Sequence, residues 1–330
     1  MPVAARMPLL RDNRGVRYNR AAMSGTFEAA YLRLGEEELR RRAEQALQGL
    51  ADCRLCAREC GVNRLKGELG SCNTGRRARV SSAFPHFGEE RPLVGMHGSG
   101  TIFFSWCNLH CVFCQNHDIS QGGQGQECDA ETIGRAMIEL QRMGCHNINF
   151  VSPSHVVAQI LEALALAAQW GLRVPLVYNT GTYDSLETLK LLDGIVDIYM
   201  PDTKYGCEKN AKKYSDAPGY PEVMKAALKE MHRQVGDLVV DEHGVAKRGV
   251  LIRHLVMPNG VAGSRRVLEF IAKELGPNTY INIMGQYRPQ HRAMEYEELA
   301  RRPSRREMEE VVRVAGELGL KRLDERWLLA

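Results

Sequence analysis

Three cysteines within eight residues, Cys107, Cys111 and Cys114, constrain this chain more than any other feature. They follow a short apolar run, Ile102 to Phe104, which is preceded by Gly98-Ser99-Gly100 and followed by Ser105. Aromatic and β-branched residues between turn-formers predict a strand, so the cysteines occupy the loop that leaves it. Iron–sulfur clusters are held by cysteine thiolates, usually four of them. Three thiolates on one tight loop hold three irons of a cubane and leave the fourth open. A zinc site completed by His110 or by a distant residue meets the same spacing. Spacing alone leaves both readings open.

The rest of the composition bounds the setting. The 330 residues suffice for one large α/β domain and a smaller appendage, and 44% apolar content is ample for a core. No run approaches the eighteen or more apolar residues of a membrane span. The segment Met1 to Arg20 has scattered arginines and no apolar centre of the secretory kind. The chain is therefore read as cytoplasmic, where thiols stay reduced, and its ten cysteines argue against a disulfide framework. Cys128, Cys145 and Cys207 stand alone, and a lone cysteine is most simply a small buried residue. A net charge of +4 does not demand a nucleic-acid partner. Recognition of that kind wants clustered basic residues interleaved with aromatics, and Lys209 to Lys213 is only a small cluster.

Three regions follow along the chain. Residues 1–50 comprise an arm without periodicity, over 1–25, and a helix over 27–50 whose charges, Glu36 to Glu38 and Arg40 to Arg42, read as a solvated face. Residues 51–98 carry Cys53, Cys56, Cys60 and Cys72, spaced by two, three and eleven residues. Four cysteines so placed fit either a closed zinc site or a second iron–sulfur cluster, with the balance slightly towards a cluster. Glycines after Cys60, at 61, 67 and 70, let the loop fold back so that Cys72 meets the others. The linker over 79–101 carries His86, Glu89, Glu90 and His97, either as a polar loop or as part of the mouth of a site.

Residues 99–330 alternate strand and helix patterns, which implies βα units on a parallel sheet. Strands are expected over 102–104, 147–151, 173–178, 195–200, 250–257 and 279–284, with a hairpin turning at Glu242-His243-Gly244. Asp184 with Glu187, and Ser304 with Glu307, read as helix caps. Ligands of such folds gather at the C-terminal ends of the strands. The residues there are polar without a packing reason: Ser152-Pro153-Ser154-His155, Asn179-Thr180-Gly181-Thr182, Pro201-Asp202-Thr203-Lys204, Arg253-His254 and Gln286-Tyr287-Arg288.

The loop Cys107, Cys111, Phe113, Cys114, placed after the first strand of a βα series, resembles the hallmark of the radical S-adenosylmethionine (radical SAM) superfamily. The resemblance implies an α/β fold, a partial (β/α)6 TIM-like barrel, here with an N-terminal helical and four-cysteine extension. It also implies a [4Fe-4S] cluster on Cys107, Cys111 and Cys114 whose open iron binds S-adenosylmethionine, with Phe113 against the adenine. Over roughly residues 95–290 the chain is similar to the activating enzymes of glycyl radical enzymes, such as pyruvate formate-lyase activating enzyme. Asp202-Thr203-Lys204 looks like that group's D-x-K element, and Arg253 like its arginine near the same ligand. Ser152 and Asn179 complete the implied cofactor contacts.

Two departures stand out. Ser152-Pro153-Ser154 replaces the group's Gly-Gly-Glu element, and the extra cysteines precede the barrel instead of following the cluster loop. The implied chemistry is reductive cleavage of S-adenosylmethionine to a 5′-deoxyadenosyl radical that removes hydrogen, with an electron donor such as flavodoxin or ferredoxin. The substrate is a glycyl radical enzyme or, alternatively, another protein, a peptide or a small molecule. A non-catalytic zinc-binding regulator is the third reading.

Overall fold

The computed structural model describes residues 27–324, so the expected arm over 1–25 lies outside the described residues. Ten strands form one sheet: β1 (Ala78–His86), β2 (Ser99–Phe104), β3 (Gln126–Cys128), β4 (Ile148–Val151), β5 (Leu176–Thr180), β6 (Ile198–Thr203), β7 (Val239–Val240), β8 (Ala246–Leu255), β9 (Tyr280–Met284) and β10 (Arg322–Leu323). Their order is β10-β9-β8-β6-β5-β4-β2-β1-β3, with β7 paired to β8. Strands β2, β4, β5, β6, β8 and β9 run parallel, joined by helical crossovers, and form the partial barrel. The hairpin turns between β7 and β8 as expected, closed by the Gly244 N–H on the Asp241 carbonyl at 2.9 Å.

Alternation along each strand separates two faces. Phe150, Leu176, Tyr178, Tyr199 and Val250 pack under the helices. Val177, Ile198, Met200 and Leu251 point the other way, into the barrel, and pack around Leu93. Register carries that inner face outward: Asn149 pairs with Val177, Asn179 with Met200, and Asp202 with Arg253. The lower barrel is therefore plugged by apolar contact, and polarity rises towards the strand ends.

Several elements differ from the sequence reading. The segment expected as a linker contains β1, which runs antiparallel along β2 and continues the barrel sheet. Its alternation is blurred because most of its residues are half-buried. The lysine-rich insertion is a helix, Glu208–Ser215. The helix Ala30–Gln48 breaks its geometry at Gly35, whose φ of 77° is left-handed. Its charged face is partly anchored: Arg42 donates to the Leu191 carbonyl at 2.9 Å and to the carboxylate of Glu38 at 2.7 Å. Asp184 does not cap the helix Leu186–Leu191; it is buried and accepts from the Tyr178 hydroxyl at 2.8 Å and from Thr180 Oγ1 at 2.6 Å. Ser304 and Glu307 do form a reciprocal capping box on Arg305–Glu317. No described helix is long and apolar enough to cross a membrane.

Candidate active site

The loop after β2 is fixed before its cysteines begin. Trp106 has φ 67°, and its ring lies over Gly123, where an added Cβ would sit 2.2 Å from ring carbon. The His110 and Val112 N–H groups then donate to the carbonyls of Ser215 and Tyr214 at 3.0 and 2.9 Å. Leu109 reaches under β5 because Gly181 has no side chain; a Cβ there would meet Leu109 Cδ1 at 2.5 Å.

Each of the three sulfurs faces a hydrogen-bond donor. The Leu109 N–H points at Cys107 Sγ at 3.4 Å, the Ser215 hydroxyl donates to Cys111 Sγ at 2.9 Å, and Ser120 Oγ lies 3.1 Å from Cys114 Sγ. The Ser152 hydroxyl is a further partner of Cys107. Burial pushes the Cys111 thiol up to about 12, while the nearby Lys204 ammonium pulls the other way. Thiolate is the ligating form, so metal uptake at this loop releases protons. The donor set fits an iron–sulfur cluster: three cysteines on one rigid loop, ringed by donors that stabilise charge on sulfur.

Above the plugged lower barrel, the strand ends hold a buried charge cluster. Asp202 accepts from Arg253 Nε through one oxygen and from Lys204 Nζ through the other, each at 2.6 Å. Arg253 Nη2 donates to Asn179 Oδ1 at 2.6 Å. Burial works against an ionised Asp202, yet the Arg253 and Lys204 charges hold its carboxyl below the usual range. Burial likewise opposes the Lys204 charge, and Asp202 more than restores it. Tyr220 fixes the backbone beneath, its hydroxyl donating between the carbonyls of Gly181 and Asp202 at 2.9 and 3.0 Å.

Four of the six residues singled out for cofactor contact, Asn179, Asp202, Lys204 and Arg253, thus come together. Ser152, with φ 57°, adjoins them through its N–H, which donates to the Asn179 carbonyl at 3.0 Å, and its hydroxyl faces Cys107. Phe113 is buried edge-on against Tyr287 and Tyr205, with ring centroids 5.6 and 6.4 Å away.

Some contributors carried no sequence signal. Ser120 and Ser215 reach the cysteines from segments with no recognisable motif. Glu89, whose segment reads from sequence either as a polar loop or as part of the mouth of a site, has its carboxylate 3.5 Å from Arg253 Nη1, and Glu90 accepts from Asn282 Nδ2 at 2.8 Å. His86 and His97 go elsewhere, to Phe103 and to His146. Asn149 is fully buried on the inner face with both amide atoms unpartnered, two polar atoms that a bound ligand or water would satisfy. A lone polar residue inside an apolar strand was the signal available for it.

Cys53, Cys56, Cys60 and Cys72 line one common pocket with Arg58, Arg64 and His155. This module is stitched to the cluster loop by Ser71 Oγ to His110 Nε2 at 2.8 Å and by Arg58 Nε to the Asn108 carbonyl at 2.9 Å.

A loop with three donor-ringed cysteines after the first barrel strand, below an array of buried charges at the strand ends, defines an iron–sulfur enzyme of the radical SAM class. The comparisons agree, and the chain belongs to the radical SAM superfamily, whose profile matches residues 101–245. Membership implies a [4Fe-4S] cluster, S-adenosylmethionine and a reductant. The chain is 34% identical over 278 residues to a protein of Methanocaldococcus jannaschii described as uncharacterized, covering 82% of this chain and 75% of that one. Among solved structures it is similar to a domain of pyruvate-formate lyase-activating enzyme from Bacteroides vulgatus, with 15% identity, TM-score 0.34 and coverage of 48% of this chain and 85% of that one. It is also similar to methylornithine synthase, with 14% identity, TM-score 0.46 and coverage of 86% and 73%.

Proposed function

We propose that Cys107, Cys111 and Cys114 hold the catalytic cluster and that Asp202, Lys204, Arg253 and Asn179 bind S-adenosylmethionine beside it. The bound pair supplies one-electron cleavage of S-adenosylmethionine and hydrogen abstraction from substrate. The chain's own residues orient and exclude. Lys204 and Arg253 neutralise a carboxylate, Asp202 and Glu89 accept from hydroxyl or ammonium groups, and the Leu93 plug keeps water from entering below. The observation that carries this reading is the gathering of two cations and two carboxylates at the barrel mouth, with the Lys204 ammonium near enough to act on the Cys107 and Cys111 thiols.

The substrate reading is a glycine backbone of a partner enzyme, as for glycyl radical activases, with flavodoxin or ferredoxin as electron donor in the cytoplasm. The second reading, modification of another protein, a peptide or a small molecule, is favoured by Ser152-Pro153-Ser154. This turn carries no glutamate: Ser154, which stands in its place, is buried with its hydroxyl 3.0 Å from Thr180 Oγ1. Residues 51–98 act as a metal-binding module ahead of a catalytic barrel over 99–330.

Anaerobic reconstitution, reduction and electron paramagnetic resonance with and without S-adenosylmethionine test the reading. The expected [4Fe-4S]+ signal has a component that changes on adding S-adenosylmethionine, and that component is lost in Cys107→Ala. A wild-type protein that binds only zinc overturns it. Appearance of a glycyl radical on a co-incubated partner separates the two substrate readings.

A further inference from the structure

The pocket of Cys53, Cys56, Cys60 and Cys72 holds more positive charge than its protein groups balance. Arg64 is buried to 1% exposure. Its guanidinium donates to the Gly75 carbonyl at 2.9 and 3.0 Å and to the His155 carbonyl at 2.8 Å, with Nη1 3.6 Å from Cys53 Sγ. No carboxylate among the described residues pairs with it at salt-bridge distance, and burying an uncompensated cation is costly. Arg58 also lines the pocket; its Nη1 pairs with Asp216 at 3.2 Å, but its Nη2 is a buried donor without a partner. Neutral thiols answer neither group. A metal centre ligated by four thiolates carries net negative charge and answers both.

The kind of centre follows from its neighbour. The pocket is hydrogen-bonded directly to the loop of Cys107, Cys111 and Cys114, through Arg58 Nε on the Asn108 carbonyl at 2.9 Å and Ser71 Oγ beside His110 Nε2 at 2.8 Å. A redox-inert zinc ion gains nothing from that placement, whereas an iron–sulfur cluster gains a partner for electron exchange. Gly70 lets Cys60 turn into the pocket, since a Cβ there would meet Cys60 Sγ at 2.8 Å.

The two sets also share a side chain. Asn108 is buried, its Oδ1 lies 3.9 Å from Cys107 Sγ, and its amide is a hydrogen-bond partner of the Cys56 thiol. Cys60 is the exposed member of the outer set.

We propose that Cys53, Cys56, Cys60 and Cys72 ligate a second [4Fe-4S] cluster, charge-balanced by Arg64 and Arg58, which relays electrons to the catalytic cluster past Asn108. With four cysteine ligands it has no open iron for substrate, so its chemistry is electron transfer. One electron enters from a flavodoxin- or ferredoxin-class donor near Cys60, reduces the second cluster, and passes to the first, which returns the second to its oxidised state. No bond or proton changes hands. The relay rests on the function proposed above; the second cluster does not.

The full-length protein, its Cys107→Ala/Cys111→Ala/Cys114→Ala variant and its Cys56→Ser/Cys72→Ser variant, reconstituted with 57Fe, test both parts. The triple variant is expected to keep about four irons per chain with a [4Fe-4S] Mössbauer spectrum. If it holds zinc or no iron, the second cluster is overturned whatever the wild type does. The Cys56→Ser/Cys72→Ser variant is expected to keep the S-adenosylmethionine-sensitive signal, which reports the catalytic cluster independently. Its reduction by flavodoxin in stopped flow should be at least tenfold slower than in wild type, while reduction by dithionite changes little. An unchanged flavodoxin rate overturns the relay.

Discussion

Asp202 balances two buried cations at once, and this makes it the side chain on which the charge cluster depends. Asp202→Asn keeps the shape but takes from Lys204 and Arg253 the carboxylate they share, leaving Arg253 with Glu89. Breaking a buried pair in this way costs ~3–5 kcal/mol, and urea unfolding of the two proteins should show it. Glu89→Gln removes one charge and keeps a hydrogen-bonding group, so destabilisation of only about 1 kcal/mol is expected, with S-adenosylmethionine affinity, read by calorimetry, reduced several-fold. An unchanged affinity removes Glu89 from the site. Asp202, Lys204 and Arg253 were legible in sequence because each is a polar residue at a strand end with no packing reason to be there. Glu89 was not assigned, because its partner Arg253 is far along the chain and only the fold brings them together.

At the level of elements, His254 on β8 couples two of them. Its Nδ1 donates to the Thr203 carbonyl at 2.8 Å, and its Nε2 accepts from Ser264 Oγ at 2.8 Å, which fixes the neutral ring. Burial lowers its pKa from 6.5 to about 4. The unfolded chain therefore takes up a proton between pH 6.5 and 4 that the folded chain refuses. This group's contribution is full above pH 6.5 and falls as pH drops, by ~3 kcal/mol at pH 4. His254→Asn should be less stable at pH 7 and lose less stability than wild type on acidification to pH 4.5. Ser304→Ala removes one half of a capping box and should cost ~1 kcal/mol, visible as a lower Tm. Gly123→Ala must displace the Trp106 ring that sets the start of the cysteine loop. The expected result is a loss of ~1–3 kcal/mol and weaker iron retention on gel filtration; retention equal to wild type separates the ring from the loop's function. The Ser304 box was readable because a capping box is local. Asp184 with Glu187 has the same local pattern, but Tyr178 and Thr180 claim the aspartate from the neighbouring strand.

For the molecule as a whole, the leader and the barrel are one hydrogen-bonded body. β1 extends the barrel sheet, Leu93 plugs its lower end, and Arg64 reaches from the leader to the carbonyl of His155. Arg64→Met keeps the volume and deletes the charge. It should leave the catalytic signal in place while the Cys53 to Cys72 pocket retains less than half its iron through chelator challenge. The sequence by itself determined the βα series, the cysteine loop and the polar strand ends, because periodicity, thiol spacing and unexplained polarity are local properties. The antiparallel β1, the donors ringing the cysteines, the entry of Glu89 into the barrel and the isolation of Arg64 from carboxylates were decided only by the tertiary structure. Each depends on which distant groups share a face or a pocket, and hydrogen bonds and buried charge are settled by those neighbours.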